Sequence, residues 1–77
     1  MKLTDEDHKL IMSALLGHIS LVVDNHGAYW MFDNHNVDQG MSALIRNDVL
    51  DVVHYVPTGG RFIEFKPGVN YGKIPTD

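Results

Sequence analysis

Apolar and polar positions follow two different rhythms along the chain. After Thr4-Asp5-Glu6-Asp7, apolar residues recur at Leu10, Ile11, Ala14 and Leu15, the spacing of one helical face. Thr4 offers a hydroxyl to a free helical N–H, and the three acids suit the positive end of the helix dipole. Gly17 tolerates the left-handed conformation that ends many helices, so the pattern predicts a helix over residues 5–17. Ile19 to Asp24 is dense in β-branched and apolar residues and reads as a strand. Asp24-Asn25-His26-Gly27 is a turn signal, and Ala28 to Asp33 returns as a second strand. Asp33-Asn34-His35-Asn36 is polar and loop-like. Asn36 and Gln39 resemble a capping pair ahead of Met41, Ala43, Leu44 and Ile45, which predict a short helix over 37–46.

Val49 to Val56 fits either a continued helix or a strand, and its valines with Tyr55 favour the strand. Pro57-Thr58-Gly59-Gly60 reads as a turn and Arg61 to Lys66 as the returning strand. Beyond Pro67, further Gly and Pro residues punctuate an irregular tail. The expectation is one α+β domain over 1–67 with a tail over 68–77. Its order is helix–hairpin–helix–hairpin (αββαββ), a four-stranded antiparallel sheet with both helices on one face. Met12-Ser13-Ala14-Leu15-Leu16 recurs as Met41-Ser42-Ala43-Leu44-Ile45. Either an αββ unit is duplicated, or two amphipathic helices share letters by chance.

Residues opposite each other in a hairpin share a face. A three-residue loop, Asn25-His26-Gly27, would pair Val22 with Trp30 and Ser20 with Phe32. Ile19, Leu21, Val23, Tyr29 and Met31 would then meet the helices, leaving Trp30 and Phe32 on the outer face. A four-residue loop, Pro57 to Gly60, would pair Tyr55 with Phe62 on the outer face of the second hairpin. Trp30, Phe32, Tyr55 and Phe62 are therefore the candidate partner-binding cluster, because exposed aromatics mark interaction sites. Two other readings stay open: a register slip of one residue would flip a strand, and Val69, Tyr71 and Ile74 of the tail could anchor over this face.

Composition narrows the rest. The chain has 77 residues, room for one domain and one core. It has no Cys, hence no disulfide or thiolate chemistry. No apolar run approaches a membrane span, and charges stand where a secretory leader would be apolar, so a soluble, cytoplasmic protein is expected. A net charge of −4 disfavours binding to a nucleic-acid backbone.

Candidate chemistry is sparse. Asp24-Asn25-His26 and Asp33-Asn34-His35 repeat a metal-ligand composition. The strand between them should hold them about 20 Å apart, so no metal and no cofactor is expected. His54 with Glu64 or Asp51 could form a base–orienter pair, but no nucleophile motif accompanies it, and no catalytic residue is assigned. Thr58-Gly59-Gly60-Arg61 could meet a phosphate or nucleic acid through backbone N–H groups and a guanidinium, although a hairpin turn explains its glycines.

The expected function is a small non-enzymatic protein-interaction module. It would bind a protein partner or itself as a homodimer, and would suit an inhibitor or accessory protein of a phage or other mobile element. The alternative is a nucleic-acid-associated regulator using residues 58–61 and the aromatics.

Overall fold

Helix α1, Asp5–Leu15, starts on a reciprocal cap. Thr4 Oγ1 accepts the Asp7 N–H at 3.2 Å, and Asp7 Oδ2 accepts the Thr4 N–H at 2.9 Å. It closes two residues earlier than its pattern predicts. Gly17 takes φ +80°, and the N–H groups of Gly17 and His18 donate to the carbonyls of Ala14 and Ser13, the two bonds of a Schellman closure.

Helix α2, Asp38–Arg46, ends the same way with a non-glycine residue. Asp48 sits at φ +59°, its N–H donates to Ile45, and the Val49 N–H donates to Leu44. That closure decides the ambiguous stretch after it: the chain leaves the helix and becomes strand from Leu50. At the other end of α2, Asn36 Oδ1 accepts the Asp38 N–H at 2.9 Å, a contact two residues on rather than a pairing with Gln39.

The computed structural model describes residues 1–55 and 63–75, and of His54 and Tyr55 the backbone alone. Strands β1 (Ser20–Asp24), β2 (Gly27–Phe32) and β3 (His35–Asn36) form one antiparallel sheet in that order. Strands β4 (Leu50–Tyr55) and β5 (Ile63–Pro67) form a second. The chain is thus α+β as expected, but among the described residues the strands form two antiparallel sheets in place of the expected four-stranded one. The additional strand β3 arises where a polar loop was expected. Asp33 and Asn34 both take positive φ, 51° and 63°, the signature of a tight two-residue hairpin turn.

Both sheets and both helices share one core. Ile11 and Ala14 of α1, Met41 and Leu44 of α2, and Ile63 and Phe65 of β5 are buried in it, together with Ile19, Val49 and Leu50 at the helix-to-strand exits. The recurring pentapeptide does not build a recurring unit. Met12 is exposed where Met41 is buried, and the Schellman carbonyl comes from the second letter of the first copy, Ser13, but the fourth of the second, Leu44. The copies are two positions out of step with their helix ends, about 200° of helical turn.

Residues after β5 return to the body of the fold. The Gly68 N–H donates to Val49 and the Asn70 N–H to Asp48, while the Asn70 side-chain amide donates to the Asn47 carbonyl at 3.0 Å. The Leu3 N–H reaches the Pro75 carbonyl at 2.8 Å, and Ile74 packs against the core.

Candidate interaction surface

The faces of the first sheet follow from its register. Asp24 pairs with Gly27, so the turn holds only Asn25 and His26; Asp24 Oδ1 steadies it by accepting the His26 N–H at 2.8 Å. Gly27 belongs to the strand rather than to the loop. Every pair therefore shifts by one from the expected register, and Leu21, not Val22, lies opposite Trp30. A one-residue shift exchanges the faces of the returning strand.

This corrects the placement of two candidate residues. Trp30 and Phe32 lie on the side of Ile19 and Leu21 and pack, partly buried, against the core. The Trp30 ring meets Phe65 of the second sheet edge-on, with centroids 5.2 Å apart and planes at 62°. The outer face carries Ser20, Val22, Asp24, Tyr29 and Met31 instead.

In the second hairpin, β4 has an irregularity between Val52 and His54. Beyond it Tyr55 pairs with Ile63 rather than with Phe62, and His54 with Glu64. Phe62 and the Thr58-Gly59-Gly60-Arg61 turn lie outside the described residues, as does the side chain of His54. The four aromatics are not brought together as one outer cluster: two of them face the core. The two Asp-Asn-His tripeptides bracket opposite ends of β2, and no group of three or more His, Asp or Glu suited to a metal ion is found among the described residues.

Exposed apolar side chains lie elsewhere, among them Val23 of β1, Val53 of β4, Val69 after β5, Met12 of α1 and Leu16 at its close. Met12 is 54% and Leu16 64% exposed, one helical turn apart. Met12 lines a groove of about 210 Å³ with Leu3, His8, Ile11, Val49, Tyr71, Gly72 and Ile74. One wall is helix and the other is the C-terminal segment, held by the Leu3–Pro75 and Gly68–Val49 bonds. Tyr71 is itself exposed, so groove and helix make one apolar strip. Of the three proposed tail anchors, only Ile74 packs on the core, and it does so beside α1 rather than over the sheet. The signal for the strip was present in the sequence: Met12 and Leu16 fall off the Leu10–Ile11–Ala14–Leu15 face at helical spacing.

A second cleft of about 220 Å³ lies between α1 and the β2–β3 turn, with Glu6, Lys9, Asp33 and His35 around Leu10, Phe32 and Val37. Its mixed charges select no ligand class.

Comparison with known proteins gave no matching family model, no matching curated protein and no matching solved structure. No helix among the described residues is long and apolar enough to cross a membrane.

Proposed function

We propose that this chain is a non-enzymatic protein-interaction module that seats an apolar segment of a protein partner along α1 and its flanking groove. The observation behind this reading is the pair Met12 of α1 and Leu16 at its C-cap, both more than half exposed, with Met12 lining a mostly apolar groove. Contiguous apolar surface of this kind is where partners dock, and a concave apolar site gives an incoming side chain contacts on several sides. The net charge of −4 suits a protein partner better than a nucleic-acid backbone. An inhibitor or accessory role is the setting that such a module fits.

The test compares proteins retained from a lysate of the source cell or its host by the wild type and by a Met12→Lys, Leu16→Lys double variant. Both side chains are exposed, so folding should change by no more than about 0.5 kcal/mol per site. A protein retained by the wild type should lose at least tenfold in affinity for the variant, as expected for removing binding hot spots. Equal retention by both, or no specific retention by the wild type, would remove the reading.

A further inference from the structure

We infer that β1 is a self-pairing edge: two copies of this chain join β1 to β1 in antiparallel fashion about a two-fold axis at Val22, making one six-stranded sheet. The argument begins with the direction of the backbone groups. The Trp30 N–H donates to Asp38 Oδ1 at 3.2 Å, and its carbonyl accepts the Val37 N–H at 2.9 Å. The Trp30 backbone thus faces away from β1. In an antiparallel ladder, hydrogen-bonded and non-hydrogen-bonded pairs alternate. Leu21, opposite Trp30, is therefore in a non-hydrogen-bonded pair, and its N–H and C=O point out of the sheet. Val23, two residues on, points the same way. Neither has a further backbone partner among the described residues, and β1 is an outer strand of its sheet. Such an edge is a template for another strand.

The occupant follows from symmetry and side-chain chemistry. A two-fold axis perpendicular to the sheet keeps like faces together, so only registers pairing residues of the same face are allowed. The register centred on Val22 overlaps all of β1. It sets Leu21 against Val23 of the second copy and the reverse, joining the outward N–H and C=O groups of both in four hydrogen bonds. It sets Ser20 against Asp24 of the second copy, a hydroxyl facing a carboxylate, and opposes no like charges.

Side chains match on both faces. Tyr29 lies opposite Val22, so Tyr29, Val22 and their two symmetry mates form a continuous apolar row across the outer face. On the other face Val23, 59% exposed in the protomer, gains Leu21 of the second copy as a neighbour. Cross-strand pairs of these types stabilise sheets. Strand β1, Ser-Leu-Val-Val-Asp, also lacks the Lys or Pro with which edge strands commonly block such pairing.

The experiment is sedimentation equilibrium over a wide concentration range. The wild type should move from a protomer mass of 8.7 kDa to about twice that, and stop there. Val22→Lys and Val22→Glu, each placing like charges together at the two-fold axis, should each sediment as a protomer with unchanged circular dichroism. An equimolar mixture of the two should recover the doubled mass, because Lys and Glu then face each other. If a position-22 variant does not fold, Val23→Lys buries a charge against Leu21 of the second copy and should likewise give a protomer. A wild type that stays a protomer at every concentration, a variant that still doubles, or a mixture that does not recover would each overturn the proposal. None of these substitutions touches the α1 strip, so this result and the partner-binding result stand or fall separately.

Discussion

At the scale of single residues, two backbone positions carry more than their side chains suggest. A Cβ on Gly68 would lie 2.1 Å from the Asp48 carbonyl oxygen, because the return segment passes directly over the close of α2. Backbone cannot move aside as a flexible side chain can, so Gly68→Ala should cost about 1–3 kcal/mol, the range for forced overpacking. Urea unfolding would read this as a lower midpoint at unchanged slope, and an unchanged midpoint would mean that the close approach is wrong. Asp48 itself occupies the left-handed region at φ +59°, where glycine is the preferred closing residue. Asp48→Gly keeps both closing bonds and relieves the Cβ penalty, against the added freedom of the unfolded chain. A net gain of about 0.5 kcal/mol is expected in the same assay.

At the scale of elements, the helices were more legible than the strands. The Thr4 cap and the acids behind it named the start of α1, and Gly17 marked a close two residues past its last helical residue, because caps are local chemistry. The predicted close of α2 at residue 46 matches Arg46, while the stretch beyond it was ambiguous because Asp48 does the work usually given to glycine. Strand β3 was hidden because Asp33-Asn34 lacks the glycine that commonly marks a two-residue hairpin turn. The first hairpin shows the limit most clearly. The turn at Asp24–Gly27 was visible, but whether Gly27 belonged to loop or strand was not, and that single residue decides which face Trp30 takes. The outer-face placement of Trp30 and Phe32 failed on register, whereas Met12 and Leu16 could be found from helical spacing alone. A prediction belongs here: Asn34→Gly supplies the residue favoured at the second position of this turn. It should raise the melting temperature by about 2–4 °C for a gain near 0.5 kcal/mol. A fall in the melting temperature would contradict the turn geometry.

At the scale of the whole molecule, Trp30 joins the first sheet to the second through Phe65, whereas the partner surface we propose is the exposed strip at Met12 and Leu16. This division of roles is the central claim, and equilibrium chemical denaturation of two single variants tests it most directly. A domain of 77 residues has on the order of 4–12 kcal/mol of net stability. Trp30→Ala should remove about 3 kcal/mol of it, the low end for a large core aromatic because the ring is only partly buried. Leu16→Ala should change it by no more than about 0.5 kcal/mol. The account predicts an early midpoint for Trp30→Ala and a wild-type midpoint for Leu16→Ala; a Trp30→Ala variant as stable as the wild type would put the ring outside the core and contradict it.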